Sequence, residues 1–468
     1  MKITKNILIV AIQPQRFLDQ IIFAENIYNI DKNISIYFFI SEEAYSRYSE
    51  IVDNLKFKII NKPFNFQKKL IKRNYLKDFI KNILNSKQKK RVDKYLYILK
   101  NTKLFSNRLK KEEKIFLNNL NKKYQNVYNL IKEYKIDVLF LAGDRHLGLE
   151  PLFIKVANDL KITTIIPFMV YFAEEEDLVK TSTIIESKTL LTSKYIKDSE
   201  KKFIHHKREN KYYYPHTIAN ALDKISVLTQ NPWFMGGGYS DILCLPNYQM
   251  NKHYIQNGVD SNKIKVLGDI SYDNLYLNYK NRINIKKKLL EKYSFINNKK
   301  IIIIALPQLA EHSILTWDRH WEEINYLMKS LNELNENILI SLHPKMDRKK
   351  YEFLEDKYNC TILDERLADV LPIADIFVAT FSSTVFWSIL CGIKTVVVDF
   401  YGLNYTMYDF LTSLRKVDKK DNLKTTLKTT LVEEIDFSKD WKSLSRDDVF
   451  DGKTIQRYIK LINEVRKS

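Results

Sequence analysis

A histidine–proline pair and a run of hydroxyl side chains each follow an apolar stretch in the second half of the chain. His343 and Pro344 come after NILISL, and Ser382, Ser383 and Thr384 come after DIFVATF. An imidazole near a phosphate can donate a hydrogen bond, or a proton when it is charged. Hydroxyls and free N–H groups at a helix start are typical of anion sites. The sequence therefore predicts a phosphate site, with a plain turn and a helix cap as the alternatives.

Acidic side chains in the first half are candidates for a general base. Asp144 lies in LAGDRHLGLEP, at the end of a predicted strand, and Glu174, Glu175 and Glu176 lie in PFMVYFAEEEDL, after the next one. A carboxylate at either place could take a proton from a reacting hydroxyl. The alternatives are that Asp144 caps a helix and that the glutamates begin a solvated helix.

Apolar runs alternate with helical patterns along the whole chain, and these elements would position the candidate residues. The predicted strands are 6–12, 34–40, 57–60, 137–143, 163–170, 241–247 and 264–269 in the first half, and 300–308, 337–344, 360–365, 375–383 and 395–400 in the second. Such alternation predicts parallel sheets, whose ligands bind at the carboxyl ends of the strands. We therefore expect an α/β protein with two Rossmann-like domains facing a cleft.

The length of 468 residues also favours two domains over one. We expect the first Rossmann-like domain at 1–280, with a helical insertion at about 62–135, and the second at 281–440. A C-terminal helix in 441–468 would pack back on the first domain. The three cysteines lie far apart and show no metal-ligand spacing, which favours a reducing, cytoplasmic compartment. No apolar run approaches the ~20 residues of a membrane-spanning helix.

Positive charge is concentrated in one segment. From Lys62 to Lys123 the chain has 20 Lys or Arg and 4 Asp or Glu, a net charge of +16 out of +20 for all residues. The segment is either a solvated helical face or a surface for an anionic partner, such as the inner leaflet of a membrane or an acidic glycan. No nucleic-acid recognition motif accompanies it, so we expect no nucleic-acid partner.

The stretch from about 300 to 402, with ALPQ, ISLHPKMD and LADVLPIADIFVATFSSTVFWSILCGIKTVVVD, resembles the C-terminal domain of bacterial capsule-type Kdo transferases and bacterial sialyltransferases. These GT-B glycosyltransferases hold the cytidine monophosphate of a CMP-sugar with a His-Pro motif and a serine motif. The resemblance implies that His343 with Pro344, and Ser382 with Ser383 and Thr384, bind the donor nucleotide. It also implies that Gln308 lies in the donor loop.

Two weaker similarities concern the first half. The Gly-Asp-Arg of LAGDRHLGLEP is similar to a segment of UDP-GlcNAc 2-epimerases, which share the GT-B fold, and EEED is similar to the acidic pair of bacterial sialyltransferases but lacks its glycine. The resemblances imply an inverting glycosyltransferase with Asp144 or Glu174–Glu176 as base, and His343 acting on the leaving group.

We expect this enzyme to move a nonulosonic acid of the sialic, legionaminic, pseudaminic or Kdo type to a glycan or glycoprotein acceptor, in bacterial surface glycan synthesis. No metal and no cofactor are expected, because fixed dipoles would stabilise the leaving phosphate. The alternatives are an isomerase like the UDP-GlcNAc 2-epimerases, a transferase that uses CDP-glycerol or a UDP-sugar, and a binding module without catalysis.

Overall fold

The computed structural model describes residues 5–61, 103–145, 149–169, 214, 216–229, 231–312, 314–343, 346–404 and 406–465, and three strand pieces between 186 and 212. Its strands are β1 (Lys5–Ala11), β2 (Ile34–Ile40), β3 (Lys58–Ile59), β4 (Val138–Leu141), β5 (Thr163–Ile166), β6 (Glu186–Ser187), β7 (His205–His206), β8 (Lys211–Tyr212), β9 (Ile242–Leu245), β10 (Ile264–Val266), β11 (Ile301–Ala305), β12 (Asn337–Ser341), β13 (Cys360–Ile362), β14 (Ile376–Ala379), β15 (Lys394–Val398) and β16 (Leu414–Val417).

The helices of the same residues surround these strands. They are α1 (Pro14–Ile30), α2 (Glu42–Arg47), α3 (Ser49–Asp53), α4 (Lys103–Glu133), α5 (Glu150–Leu160), α6 (His216–Lys224), α7 (Tyr248–Gln256), α8 (Tyr272–Lys280), α9 (Arg282–Lys292), α10 (Trp317–Asn332), α11 (Phe353–Lys357), α12 (Leu367–Val370), α13 (Thr384–Leu390), α14 (Leu423–Val432), α15 (Ser438–Ser443), α16 (Arg446–Val449) and α17 (Thr454–Glu464). No helix in the described part of the chain is both long enough and apolar enough to cross a membrane.

Two parallel sheets form the centres of the molecule. The first has the order β10-β9-β5-β4-β1-β2-β3 and the second β13-β12-β11-β14-β15-β16; β6, β7 and β8 form a small antiparallel sheet. In both large sheets the chain moves outward from a central strand, returns, and continues on the other side. The strand order therefore reverses direction between β1 and β4 and between β11 and β14, and such points are where doubly wound sheets bind ligands.

Both large sheets are covered on their two faces, which explains their unbroken apolar sequences. Ile301, Ile302, Ile303 and Ile304 of β11 are each fully buried, and they point alternately into one core and the other. Strands that are buried on only one face would alternate with polar residues instead. The IIII run of β11 is therefore the sequence of a central parallel strand.

We call the apolar residues packed on the first sheet the first core and those packed on the second sheet the second core, and the members of these cores depart from the predicted domain boundaries at two places. Tyr272 and Leu275 of α8 pack in the second core, so that core begins before the predicted boundary at 281. Of the predicted tail at 441–468, Val449 and Phe450 also pack there because they are apolar and face that core. Only α17 packs on the first domain, with Tyr458 inside the core that also contains residues of β1 and β2.

Helix α4 lies between β3 and β4, within the predicted insertion. Its apolar side, with Phe116, Leu120, Val127 and Ile131, packs into the first core. Its opposite side is exposed and basic. Residues 62–102, the other part of the predicted insertion, lie outside the described residues.

The edge strand β16 is absent from the predicted strands. Its four residues, Leu-Arg-Lys-Val, pair with β15 alone and keep two cationic side chains. Edge strands commonly carry charges that discourage pairing with another chain. A charged edge strand of this length has no apolar run by which the sequence could reveal it.

Candidate active site

The hydroxyl run and the histidine–proline pair lie at the carboxyl edge of the second sheet. Strand β11 pairs with β14 on one side and with β12 on the other. The loop after β11 therefore lies between the loop after β12, which carries His343, and the loop after β14, which carries Ser382. These three loops enclose the point where the strand order reverses, and we call them the second edge.

Ser382 and Thr384 form a hydroxyl pair at the start of α13. Their oxygens lie 2.7 Å apart, and the Ser382 hydroxyl also accepts the backbone N–H of Thr384 at 3.3 Å. Only one of the two hydroxyls can donate within the pair, so one proton stays available for a ligand. The Ser383 hydroxyl is half-buried and has no hydrogen-bond partner among the described residues. Because α13 has only seven residues, the site depends on these hydroxyls and little on the helix dipole.

The hydroxyl run is held in place from behind by Tyr408. The Tyr408 hydroxyl accepts the backbone N–H of Ser382 at 2.7 Å and donates to the backbone carbonyl of the same residue at 2.8 Å. The buried Tyr408 ring packs in the second core. A loop with both backbone groups fixed in this way presents its hydroxyls in one geometry.

Gln308, the predicted donor-loop residue, is buried and bonded to a histidine that the sequence reasoning missed. The His312 Nε2–H donates to the Gln308 Oε1 at 2.7 Å, and the His312 ring lies 6.0 Å from that of Phe381, next to Ser382. These contacts bring the loops after β11 and β14 together. The Gln308 amide nitrogen is buried without a partner among the described residues. The sequence did contain a signal for His312, because this histidine follows the predicted strand 300–308 by four residues.

His343 is exposed at the end of β12. Its carbonyl accepts the N–H of Met346 at 2.8 Å. Pro344 lies outside the described residues. The imidazole is therefore accessible at the same edge as the hydroxyl run, on the far side of the Gln308 loop.

The carboxyl edge of the first sheet, which we call the first edge, is organised around Asp144. Its buried carboxylate accepts the N–H groups of Gly236 and Gly238, at 3.0 and 2.9 Å, and the Ser240 hydroxyl at 2.9 Å. A Cβ on Gly238 would lie 2.8 Å from the Asp144 carbonyl oxygen, so only glycine fits. The Asp144 carboxylate therefore holds the glycine loop, a structural role that differs from the helix cap named as the alternative.

The rest of the Gly-Asp-Arg segment is also bonded into the protein. The Tyr214 hydroxyl donates to the carbonyl of Arg145 at 2.7 Å, and the Thr229 hydroxyl donates to that of Asp144 at 3.0 Å. Arg145 is itself buried and donates to the carbonyl of Pro232. The segment therefore connects β4 to the chain before β9.

Two further carboxylates, both buried, were missed by the sequence reasoning. Glu150 begins α5, accepts from Gln13 at 3.2 Å, and has one carboxylate oxygen without a partner in the described structure. Burial raises the pKa of Glu150, and hydrogen bonds from its own backbone and from Gln13 partly oppose that shift. The predicted residues Glu174, Glu175 and Glu176 lie outside the described residues.

The other missed carboxylate is Asp269, in the linker between the two sheets. Burial raises its pKa to about 7, although hydrogen bonds from Ser271 and Trp387 oppose the shift. Trp387 belongs to α13, the helix that follows the hydroxyl run. Nearby, Arg366 of the second domain lies 3.3 Å from Asp19 of α1. Charged groups from both domains therefore meet beside the linker.

Comparisons with known proteins agree with this architecture. A family model of alpha-2,8-polysialyltransferases matches residues 253–380, which end at the strand before the hydroxyl run. The search of curated proteins gave no match.

Solved structures match over nearly the whole chain. UDP-GlcNAc 2-epimerase from Methanocaldococcus jannaschii has 13% identity and a TM-score of 0.51, with 98% of this chain and 99% of that chain covered. The Neisseria meningitidis UDP-GlcNAc 2-epimerase bound to UDP-GlcNAc has 11% identity and a TM-score of 0.50, with 97% of this chain and 98% of that chain covered. A glycosyltransferase from Rickettsia africae has 10% identity and a TM-score of 0.50, with 99% of this chain and 98% of that chain covered. The fold is therefore GT-B, with two Rossmann-like domains.

Proposed function

We propose that the protein is an inverting glycosyltransferase that moves a nonulosonic acid from a CMP-sugar to a glycan or protein acceptor in bacterial surface glycan synthesis. The observation that carries the proposal is the hydroxyl run Ser382–Thr384, with at least one spare proton, at the reversal point of the second sheet. Hydroxyl donors at such a point suit the phosphate of a nucleotide. The polysialyltransferase match, which overlaps this domain, supports the same substrate class.

In the proposed reaction, an oxygen of the acceptor attacks the anomeric carbon of the donor sugar. The bond between that carbon and the phosphate oxygen breaks, and cytidine monophosphate leaves with the bonding electrons. Hydrogen bonds from Ser382, Ser383 and His343 stabilise the charge that develops on the phosphate. Fixed donors of this kind act without a metal ion, and we propose metal-independent transfer.

A carboxylate of the first domain takes the proton of the acceptor hydroxyl. Because the Asp144 carboxylate is occupied by three donors, we place the base at Glu174–Glu176 or at Glu150. Burial raises the pKa of Glu150, which makes its carboxylate a better proton acceptor than an exposed glutamate. Glutamine at each of the four positions, assayed for turnover, separates them: the base is the one whose amide loses activity while the nucleotide still binds.

Calorimetry with nucleotides tests the proposal. We expect cytidine monophosphate to bind more tightly than uridine diphosphate, and Ser382→Ala to weaken the binding of the cytidine nucleotide. Tighter binding of uridine diphosphate contradicts the donor. Release of a 2-epimer from UDP-GlcNAc without any acceptor would favour an isomerase instead.

We further propose that the protein works in the cytoplasm and that residues 62–123 bring it to the anionic inner leaflet, where acceptor glycans are assembled. The described part of this segment supports the idea: Arg108, Lys110, Lys111, Lys114 and Lys122 are exposed along the side of α4 that faces away from the core. Cations near an anionic leaflet attract it additively.

A further inference from the structure

A depression of about 590 Å³ lies beside the second edge, outside the proposed nucleotide site. It is lined by Trp317, Trp321, Asn325, Lys350 and Phe353, which we call the aromatic shelf. Trp317 and Phe353 are each 38% exposed. A tryptophan with this exposure leaves much apolar surface in water, and exposed apolar surface of this kind is typical of a binding site.

The shelf is rigid because its aromatic rings pack against one another. The Trp321 ring centroid lies 5.6 Å from that of Trp317, 5.3 Å from that of Phe353 and 5.0 Å from that of Tyr351. Tyr351 is fully buried, and its hydroxyl lies 3.0 Å from the His320 Nε2. Buried hydrogen bonds behind the rings therefore hold their exposed faces in position.

Lys350 gives the shelf a positive charge. Its ammonium lies 4.5 Å from the centroid of the Trp317 ring and makes no ion pair with a carboxylate of the described residues. The neighbouring cation Arg348 differs, because it is bonded to Asp364 at 2.9 Å. Lys350 is therefore available to an anion that lies across the tryptophan face.

We propose that the aromatic shelf binds a carboxylated sugar residue of the growing glycan. An apolar ring face or acetamido methyl packs on Trp317 and Phe353, the carboxylate pairs with Lys350, and Asn325 bonds a hydroxyl. Aromatic lining with a few polar groups is the usual composition of a small-ligand site. The choice of an acidic sugar rests on the proposed function; the stacking surface and its free cation do not.

The position of the shelf fits a glycan that extends from the reaction site. Helix α10 begins directly after the loop that carries Gln308 and His312, and Lys350 follows His343 by seven residues. Behind the shelf, the Tyr351 hydroxyl donates to Glu311 of the same loop at 2.6 Å. A sugar on the shelf thus lies next to the elements that carry the nucleotide site.

Binding of a linear tetramer of N-acetylneuraminic acid tests the proposal, without any need for turnover. The readouts are tryptophan fluorescence, since two shelf residues are tryptophans, and calorimetry. We expect Trp317→Ala to weaken binding about tenfold, equal to about 1.4 kcal/mol, and Lys350→Gln about threefold, with greater loss in low salt than in high salt. Maltotetraose serves as the neutral ligand.

Tyr28→Ala is the matched control, because Tyr28 is 37% exposed on the first domain and has the Lys32 ammonium 3.7 Å from its ring. It should bind the acidic tetramer as the wild type does. Equal binding by Trp317→Ala and the wild type, no binding by either, or equal affinity for maltotetraose would overturn the proposal.

Titration of each variant with cytidine monophosphate separates this proposal from the proposed function. We expect both shelf variants to keep the nucleotide affinity of the wild type. A wild type that binds the tetramer but no cytidine nucleotide would contradict the proposed donor and leave the shelf standing. A wild type that binds the cytidine nucleotide but not the tetramer would contradict the shelf proposal and leave the proposed donor standing.

Discussion

The first edge and the second edge both place polar residues after buried strands, but they use them differently. At the first edge, the Asp144 carboxylate is 2% exposed and accepts three hydrogen bonds from one loop. At the second edge, the Ser383 hydroxyl has no hydrogen-bond partner among the described residues, and one proton of the Ser382–Thr384 hydroxyl pair stays available for a ligand. Position at a strand end is therefore shared by scaffold and site. A site differs from a scaffold because its polar groups still have donors or acceptors without a partner among the described residues.

The largest expected effect is at the second edge. We expect Ser382→Ala and His343→Ala each to lower turnover about 10²–10³-fold, because each removes a donor to the developing phosphate charge. Turnover with a CMP-sugar and an acceptor measures this. Melting temperatures should stay close to that of the wild type, because His343 is exposed and Ser382 is half-buried.

Ser388→Ala is the control for this prediction. Ser388 lies on the same helix but is fully buried, with its hydroxyl donating to the Val385 carbonyl at 2.8 Å. It should lose stability and keep turnover per folded molecule. If Ser382→Ala behaves like Ser388→Ala, the hydroxyl run is scaffold and the contrast between the edges disappears.

The next effect is at the first edge. Asp144→Asn should lower the free energy of unfolding by about 3 kcal/mol, since an amide nitrogen would face N–H donors in a buried place. Denaturant unfolding measures the loss. Folded Asp144→Asn protein should keep most of its turnover.

Asp440→Asn supplies a matched comparison, because Asp440 is fully buried and accepts the N–H groups of Thr412 and Ser413 at 2.9 and 2.7 Å. Both variants should lose stability alike. A far greater loss of turnover in Asp144→Asn alone would make Asp144 the base after all.

A third prediction concerns the linker between the edges. The pKa of Asp269 is about 7 in the folded chain, above its ordinary value of 3.8, so the folded state holds its proton more tightly than the unfolded state. The contribution of protonated Asp269 to the free energy of unfolding is complete below about pH 4. It is lost as pH rises to about 7, by up to about 1.4 kcal/mol per pH unit.

Unfolding free energies between pH 4 and 8 measure this loss as the difference between wild type and Asp269→Asn. The variant should lack the decline that Asp269 causes. The exposed Asp418→Asn should follow the wild type. A difference curve for Asp269→Asn that stays flat with pH would show that Asp269 is ionised throughout.

The smallest effect concerns the exposed side of α4. Lys110→Gln should weaken binding to anionic vesicles by up to about 1 kcal/mol, and only at low salt. Its melting temperature should not change, because the side chain is exposed. Co-sedimentation with anionic and neutral vesicles measures the effect. Equal binding of the wild type to both vesicle types would leave α4 as a solvated helix.

Much of the architecture could be predicted from the sequence because buried parallel strands have continuous apolar runs. Five of the six strands of the second sheet were found in this way, and His343 and Ser382 followed from their places after such runs. The charged edge strand β16 and the seven-residue length of α13 give no comparable signal. The helical pattern predicted an insertion at about 62–135, and α4 (Lys103–Glu133) lies within it.

The partners of individual polar groups could not be predicted. Nothing in LAGDRHLGLEP shows that Asp144 bonds a glycine loop about 90 residues later, or that Glu150 is buried beside Gln13. The pKa of Asp269 depends on burial between two domains, which is a property of their packing. Likewise, the aromatic shelf combines side chains of α10 with Lys350 and Phe353, which lie beyond β12, and nothing in the sequence shows that these two segments meet.

Helix α17 has a consequence for how the chain folds during synthesis. Tyr458 and Ile462 fill the same core as Ile7 and Phe38, and the Lys5 ammonium donates to the Val465 carbonyl at 2.6 Å. At about 5–20 residues per second, roughly 20–80 s pass between translation of β2 and translation of α17. During that time the nascent first domain exposes an apolar groove that α17 later covers. The second domain, whose core needs no residue after Phe450, can finish folding before the first.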